Sequence, residues 1–286
     1  MKNYLEKDIK NLWSFSKYSK HYPDVTWDWR NLPFSNDINK IDDFNFKVER
    51  NFKNISILEI GSSMGQGYNF LKNKNNIDVS NYLGIDVSKV AYDYCIKKYP
   101  ETKWLNTNFS EHNLNTNFDY TFERHSVHHM PFPLLQYEKI LKNTNIAFTT
   151  TFRGCIHGET ISDLNLAFFE NETGKYFMNI INFSDVIMIA LNNNFNDIIV
   201  DWRGLHEEIN SEINGLTEMF LSKDVDREKY LISRFIIYFR KNPSLNKIKV
   251  RMKKKIIYSL KNFRIINKIK NQLKGIEHIY NFKFGL

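Results

Sequence analysis

The chain has 286 residues, enough for one large domain with extensions, and its 42% hydrophobic and 15% aromatic content excludes wholesale disorder. Two cysteines, Cys95 and Cys155, can form at most one bridge, so the chain is no disulfide scaffold and a reducing compartment is expected. Of the net charge of +8, residues 243–286 contribute 12 Lys and Arg against one acid, whereas residues 1–242 are slightly acidic. This distribution gives no support to nucleic-acid binding by the body of the protein.

The first 50 residues are predicted to be an N-terminal extension with one short helix, residues 4–18, followed by irregular chain. Charges run through its first 13 residues, and the apolar run of a signal peptide is missing there. No stretch of the sequence approaches the roughly 18 apolar residues of a membrane span. We therefore expect a cytoplasmic protein.

From residue 51 to residue 242 the pattern changes to alternating strands and helices. Apolar runs predict strands at residues 55–60, 82–87, 103–106, 118–122, 146–152, 197–202 and 231–239. Helical patterns cover residues 66–74, 89–98 (with Ser88 as N-cap), 134–141 and 183–192 (entered through Ser184). This alternation predicts βαβ units, a parallel sheet and an α/β fold.

The first predicted strand ends in a glycine-rich turn, LEIGSSMGQG, with Gly61, Gly65 and Gly67. Such a turn lets backbone N–H groups approach a ligand and leads the chain into a helix. The glycine spacing fails the nicotinamide motif G-x-G-x-x-G, and no Lys follows as a phosphate-binding loop requires. A turn that needs its glycines only for structure remains an alternative.

Asp86 ends the second predicted strand, 25 residues after Gly61. Because adjacent strand ends face one crevice, this carboxylate can accept hydrogen bonds from both hydroxyls of an adenosine ribose. A carboxylate that caps the following helix is the alternative. A third segment, FDYTFERHSVHHM, follows at residues 118–130 and completes the pattern.

In order and spacing these segments resemble the class I S-adenosylmethionine-dependent methyltransferases, particularly the small-molecule branch. The resemblance covers about residues 50–242, although the Pro-Gly-Gly turn usual before the fifth strand is replaced by Lys142-Asn-Thr-Asn145. It implies a Rossmann-like, seven-stranded, mostly parallel sheet with helices on both faces. It also implies S-adenosyl-L-methionine as the cofactor, bound by Glu59, Gly61, Ser63, Gly65, Gly67, Asp86, Asn108 and Phe109.

Three histidines, His125, His128 and His129, follow the fourth strand, but their spacing fits no standard zinc pattern, and no metal is expected. The resemblance places His129 where the family often has a histidine. A histidine near the donor methyl can act as a general base toward a hydroxyl acceptor, so His129 or His128 is the candidate catalytic residue. The alternative is that His129 only packs under the cofactor.

Candidate acceptor residues lie at the carboxyl edge of the predicted sheet, where open α/β sheets bind ligands. Arg153 and His157 follow the fifth strand there, either as acceptor contacts or as part of a solvated loop. Glu123 and Arg124, at the end of the fourth strand, are either substrate contacts or charges at the rim.

Residues 243–286 are predicted to form a basic, amphipathic helical tail. Apolar residues, from Met252 to Tyr280, recur there every three or four positions, and the lysines fall largely off this stripe. Such a helix suits an anionic membrane surface, which would make the protein peripheral to a membrane. A helix docked on the body or on a second subunit remains the alternative.

The function that these observations predict is methyl transfer from S-adenosylmethionine to a small-molecule acceptor: a sugar, a lipid-linked compound or another hydroxyl or carboxyl compound. The alternative is a catalytically degenerate, methyltransferase-like module for binding or membrane association. A nucleic-acid methyltransferase is disfavoured, because residues 128–133 read HHMPFP where such enzymes often carry an (N/D/S)-P-P-(Y/F) motif.

Overall fold

The structure, a computed structural model, describes residues 55–74, 80–155, 158–171, 174–205, 212–213, 217–226, 230, 232–243, 245 and 248–253. The predicted N-terminal extension lies outside the described residues, as do His157 and the tail beyond residue 253. Within the described ranges, no helix is both long enough and apolar enough to cross a bilayer.

Strands and helices alternate through the first half of the described chain, as predicted. The strands are β1 (Ser56–Ile60), β2 (Asn81–Asp86), β3 (Lys103–Asn106), β4 (Phe118–Arg124), β5 (Thr144–Cys155), β6 (Ala167–Asn171), β7 (Gly174–Phe177), β8 (Ile181–Asn182), β9 (Asp197–Leu205), β10 (Glu212–Ile213), β11 (Thr217–Leu221), β12 (Ser233–Arg240) and β13 (Lys249–Lys253). The α-helices are α1 (Gln66–Lys74), α2 (Lys89–Lys98), α3 (Pro133–Lys142) and α4 (Phe183–Asn192).

The main sheet has the strand order β13-β9-β12-β5-β4-β1-β2-β3, with the short β8 paired to β5. Neighbouring strands from β3 to β5 run parallel, and β12 is antiparallel to both β5 and β9. The seven predicted strands are therefore all present, in a mostly parallel α/β sheet. This confirms the predicted fold class.

Helices cover both faces of this sheet. On one face Tyr68 and Leu71 of α1 pack on Ile57 of β1. On the other face α3 and α4 pack on β5, in a core where Tyr137, Val186 and Phe148 are fully buried. The crossover from β1 to β2 and the one from β4 to β5 leave in opposite directions along the sheet, so right-handed connections place α1 and α3 on opposite faces.

The N-cap of α2 is the predicted one, whereas the N-cap of α4 is not. Ser88 accepts a hydrogen bond from the backbone N–H of Ala91 at 3.2 Å. At α4 the cap is Asn182, whose Oδ1 accepts from the N–H of Ser184 at 2.8 Å. The prediction of Ser184 was wrong because Asn182 stands at the last extended residue, where a side-chain oxygen reaches the first free N–H groups.

A second, antiparallel sheet has the order β10-β11-β6-β7 and was not predicted. Its core joins Cys155 at the end of β5 to Met178, Ile180 and Leu221, so this small sheet is fixed at the carboxyl end of β5. Its strands have five residues or fewer, too short to show a clear alternating pattern in the sequence.

The start of the predicted helical tail is a strand. Residues 249–253 form β13, which extends the main sheet beside β9, and Val250 there is fully buried. The N–H of Lys249 donates to the carbonyl of Asn196 at 2.7 Å, while the Asn196 amide donates to the carbonyls of Asn242 and Leu245. The helix predicted to include Met252 is therefore corrected to a strand at this position.

Candidate active site

The glycine-rich turn between β1 and α1 has the backbone that its sequence suggests. The N–H groups of Gly61 and Ser62 donate to the carbonyl of Ile85 at 2.8 and 3.0 Å, which ties the turn to β2. Gly61, Ser63 and Gly65 have φ values of +71°, +48° and +73°, a left-handed conformation that favours glycine. The turn therefore lies at the carboxyl ends of β1 and β2.

Asp86 lies directly beside this turn. Its carboxylate accepts from the N–H of Ser63 at 2.7 Å and from the N–H of Ser88 at 2.8 Å. Burial raises the pKa of Asp86, against the two backbone hydrogen bonds, which lower it. Because a carboxylate offers about four acceptor positions, two bonds leave it able to accept from further donors. The structure thus brings Gly61, Ser63 and Asp86 together, as the cofactor-site prediction requires.

Glu59 of β1 and Gly67 of α1 meet where α1 packs against β1. Glu59 is 2% exposed and accepts a hydrogen bond from the hydroxyl of Tyr82. A Cβ on Gly67 would overlap the Glu59 carboxyl group, so the glycine lets α1 approach β1. Burial, as the main cause, raises the pKa of Glu59 to about 8. The structure therefore assigns Glu59 and Gly67 to the packing of β1 against α1.

Asn108 and Phe109 hold the loop after β3. Oδ1 of Asn108 accepts from the N–H and the hydroxyl of Ser110 at 3.1 and 2.9 Å, and its amide donates to Glu111 at 2.9 Å. Phe109 is buried, and its carbonyl accepts from Nζ of Lys139 at 2.5 Å. Both predicted cofactor residues thus use these groups to stabilise their own loop at the carboxyl edge.

Glu123 organises the loop after β4. Its buried carboxyl group accepts from the N–H groups of Ser126 and Val127 at 2.9 and 3.2 Å, and from the hydroxyls of Tyr137 and Thr150. Burial raises the pKa of Glu123. Because Glu123 is fully buried, the prediction that it is a substrate contact or a rim charge was wrong.

Ser126 connects this loop with the glycine turn. A Cβ on Gly61 would overlap the hydroxyl group of Ser126, so the two backbones approach each other closely. The loop then forms one turn of 3₁₀-helix, Val127–His129, which contains both candidate catalytic histidines. The loop that carries the histidines therefore lies against the glycine turn. Sequence reasoning did not single out Ser126, since only the fold brings it to Gly61.

The two candidate histidines bond to each other. Nδ1 of His129 lies 2.8 Å from the carbonyl oxygen of Phe177, and Nε2 of His129 lies 2.9 Å from Nε2 of His128. A carbonyl can only accept, so Nδ1 of His129 carries a proton. Burial lowers the pKa of His129 to about 3, so this ring is neutral and its Nε2 accepts. The proton between the rings then belongs to Nε2 of His128, an assignment made from the hydrogen-bond pattern.

Arg153 completes what we call the basic cluster: His128, His129 and Arg153. Its NH1 lies 3.3 Å from Nε2 of His128, and its charge contributes to the lowered pKa of His129. Arg153 itself is half-buried at the carboxyl end of β5. The structure thus places this predicted acceptor residue beside both candidate catalytic residues. Among the residues that the structure describes, no group of three or more His, Cys, Asp or Glu converges on a metal position.

The small sheet is bonded to the basic cluster. The N–H of Asn179 donates to the carbonyl of His128 at 2.7 Å, and its amide donates to the carbonyl of Met130 at 2.6 Å. With the bond between His129 and Phe177, these contacts hold the β7–β8 connection against the loop after β4. Phe177 and Asn179 were missed in the sequence, since nothing local marks residues that lie some 50 positions from their partners.

Several solved structures are similar to this chain. DhpI in complex with SAH matches with a TM-score of 0.50 at 9% identity, over 85% of this chain and 100% of that chain. Magnesium protoporphyrin IX methyltransferase from Synechocystis PCC 6803 with bound SAM has a TM-score of 0.46 at 10% identity, over 84% of this chain and 100% of that chain. The 1,6-didemethyltoxoflavin-N1-methyltransferase of Burkholderia thailandensis has a TM-score of 0.44 at 12% identity, over 79% of this chain and 86% of that chain.

No protein-family model matches the chain, and no curated protein matches it by sequence. The match to DhpI extends over the whole of that protein, and at 9% identity it shows a common fold. The chain therefore has the Rossmann-like fold of the class I S-adenosylmethionine-dependent methyltransferases.

Proposed function

We propose that this protein transfers a methyl group from S-adenosylmethionine to a small-molecule acceptor. The observation that carries the proposal is the position of Asp86, at the end of β2 and bonded through Ser63 to the glycine turn. In open α/β sheets a ligand binds at the carboxyl ends of the strands, where Asp86 and Gly61 lie side by side. The similar solved structures with bound SAM or SAH support the choice of cofactor.

The residues at this edge fit the cofactor. Asp86 has acceptor capacity left for the two ribose hydroxyls. Gly61 makes room for the side chain of Ser126, and the left-handed backbone at Gly61 and Ser63 turns the chain at the carboxyl edge of the sheet, beside Asp86. When bound, S-adenosylmethionine supplies a methyl group on a positively charged sulfonium, which is already a good electrophile.

The protein's contribution to such a reaction is mainly alignment. Holding two reactants in line can supply up to roughly 7–11 kcal/mol of the barrier. The chain has rigid elements for this task, because Glu123 fixes the loop after β4 and Asn179 fixes that loop to the small sheet. The acceptor is expected between the glycine turn and the basic cluster, which Ser126 connects.

The proposal is tested by isothermal titration calorimetry of the full chain with S-adenosylmethionine and S-adenosylhomocysteine. We expect saturable binding of one molecule of either compound. Absence of binding heat with both compounds, in a protein shown to be folded by its thermal transition, would contradict the proposal and favour a degenerate module. Release of S-adenosylhomocysteine on incubation with small-molecule extracts then tests turnover.

We also propose that residues 254–286 bind an anionic membrane surface. This segment contains eight Lys and Arg against one acid, Glu277. Basic groups near an anionic leaflet contribute about 1 kcal/mol each. Peripheral binding would bring the protein close to lipid-linked acceptors without a membrane span.

A further inference from the structure

Arg153 is the charged group of the basic cluster, and strand register shows which neighbours share its face. Arg124 of β4 pairs with Thr151 of β5, so Arg153 stands two residues farther along β5, on the same face as Thr151. Two arginines of neighbouring strands therefore lie near one another at the carboxyl edge. His128, which lies beside Arg153, belongs to the loop that Ser126 holds against the glycine turn.

The hydrogen bonds that His128 and His129 make within the protein disfavour the general-base role predicted for them. Both ring nitrogens of His129 bond within the protein, one to Phe177 and one to His128. Burial and the charge of Arg153 lower the pKa of His129, so it is a weak base. A hydroxyl acceptor, which must lose its proton during methylation, is therefore poorly served by His128 and His129.

From this arrangement we infer that the acceptor is an oxyanion, a carboxylate or a phosphate, bound by the guanidinium group of Arg153. The inference rests on the proposed methyl transfer and names its substrate class. Arginine presents a planar fork of N–H donors that matches the oxygens of carboxylate and phosphate. His128 is fully buried, and its Nε2 lies 3.3 Å from NH1 of Arg153, so its ring packs against the guanidinium group.

An oxyanion needs no base. Its oxygen donates a lone pair to form the new bond to the methyl carbon, while the bond from that carbon to sulfur breaks and its electron pair stays on sulfur. The acceptor loses one negative charge, the sulfonium loses its positive charge, and no proton moves. Carboxylic acids have pKa values near 4, so a carboxylate acceptor is ionised at neutral pH.

The test compares three probes with the same ring: benzoate, phenyl phosphate and benzyl alcohol. Each is titrated into the complex of the full chain with S-adenosylhomocysteine, and binding is followed by NMR shifts of histidine side chains. We expect benzoate or phenyl phosphate to bind, which also distinguishes a carboxylate from a phosphate acceptor, and benzyl alcohol to bind at least tenfold more weakly. Equal binding of benzyl alcohol, or no binding of either anion, would overturn the inference.

Arg153→Gln should weaken binding of the anion roughly 10- to 100-fold, the usual size for a charge-assisted bond. Arg153→Lys, which retains the charge and loses the fork, should give an intermediate loss. Lys142→Gln is the matched control, because it removes one positive charge from the exposed end of α3 at the opposite edge of the sheet. Unchanged anion binding in Arg153→Gln would refute the inference.

Binding of S-adenosylhomocysteine is measured separately in every variant. We expect its dissociation constant to stay within twofold of the wild-type value in Arg153→Gln, which also shows that this variant is folded. If S-adenosylhomocysteine does not bind the wild-type protein, it is the proposed function that fails. If it binds and the anions do not, only the oxyanion inference fails.

Discussion

The backbone N–H of Ser63 donates to the carboxylate of Asp86 at 2.7 Å, so the glycine turn and the end of β2 are held together by a side chain. The other carboxylate oxygen accepts from the N–H of Ser88, the N-cap residue of α2. Asp86 therefore organises both loops of the proposed cofactor site. The alternative prediction was that Asp86 caps the following helix; the N-cap of α2 is Ser88, and Asp86 accepts a hydrogen bond from the N–H of that residue.

Replacing Asp86 with Ala should weaken S-adenosylmethionine binding by about 1.5–3 kcal/mol, as expected for loss of a charge-assisted hydrogen bond. Asp86→Asn, which keeps one acceptor oxygen, should lose less. Calorimetry gives the dissociation constants. Asp93→Asn is the control, because Asp93 is an exposed acid of α2 paired with Lys89. If Asp86→Ala binds as tightly as this control, Asp86 has no part in cofactor binding.

Gly61→Ala should destabilise the protein for two separable reasons. A left-handed backbone costs roughly 1–2 kcal/mol for an L-residue, and the new methyl group would overlap the side chain of Ser126. The double variant Gly61→Ala/Ser126→Gly lacks that side chain. It should regain the stability that the steric overlap costs, while the cost of the left-handed backbone remains. Urea unfolding of the two single variants and the double variant measures both parts. Strictly additive losses would show that Gly61 and Ser126 do not contact each other.

A larger residue at the same position tests the cofactor proposal. Gly61→Val should abolish S-adenosylmethionine binding, since the added side chain displaces the loop that carries Ser126 or enters the turn. Circular dichroism must show a folded protein for the result to count. Normal binding by folded Gly61→Val would refute the assignment of this turn to the cofactor.

Glu59 should make stability fall with rising pH. Its pKa is about 8 in the folded protein and 4.5 for a glutamate side chain in water, so between these values the folded state binds a proton that the unfolded chain releases. The contribution of Glu59 to the free energy of unfolding is therefore fully present below about pH 4.5 and is lost as the pH rises toward 8. Glu59→Gln should therefore gain a few kcal/mol relative to wild type between about pH 5 and pH 8.

Urea unfolding at about pH 5, 6.5 and 8 measures this difference. Burial also raises the pKa of Asp86 and Glu123, which affects both proteins in the same direction. The difference between the two proteins isolates Glu59. Parallel stability curves for wild type and Glu59→Gln would contradict the prediction.

The tail can be removed at a position that the structure now defines. A chain that ends after Lys253 retains β13 and should fold and bind S-adenosylmethionine like the full chain. The full chain should sediment with anionic liposomes at low salt and dissociate as salt rises, whereas the shortened chain should stay in solution. If the full chain ignores such liposomes and the shortened chain aggregates, the tail is a structural element.

A second, shorter chain serves as the control for this experiment. A chain that ends after Lys241 also lacks β13 and the buried Val250, whose burial alone stabilises by roughly 1.5–3 kcal/mol. We expect this chain to be less stable than the one ending after Lys253. Equal melting temperatures for the two shortened chains would show that β13 adds nothing.

Local sequence signals predicted the parts of the fold that local physics determines. Ser88 caps α2 because a serine before a helical pattern has an N–H group within reach of its side chain, and the glycines of residues 61–65 mark a turn with positive φ. The alternation of strand and helix patterns is also visible within short stretches of the sequence, and it predicted the parallel sheet. These inferences need no knowledge of distant residues.

The remaining parts depend on distant contacts. Residues 249–253 alternate charged and apolar side chains, but the helical spacing that runs on from Met252 led to the prediction of a helix; in the structure these residues pair with the edge of β9, which buries Val250. Glu123 resembled a rim charge, yet it is buried, and its partners include the hydroxyls of Tyr137 and Thr150, more than ten residues away along the chain. Nδ1 of His129 is engaged by a hydrogen bond to the carbonyl of Phe177, 48 residues away. No sequence pattern near the histidines reveals this partner.

The aromatic residues beside the glycine turn give the protein an optical probe of its own. The ring of Trp104 lies 3.1 Å from the position that a Cβ on Gly65 would occupy. Its Nε1 donates a hydrogen bond to the carbonyl of Tyr99 at 3.1 Å. Any displacement of the turn changes the surroundings of this indole. With the other four tryptophans, Trp13, Trp27, Trp29 and Trp202, replaced by phenylalanine, its fluorescence would report the state of the turn in real time.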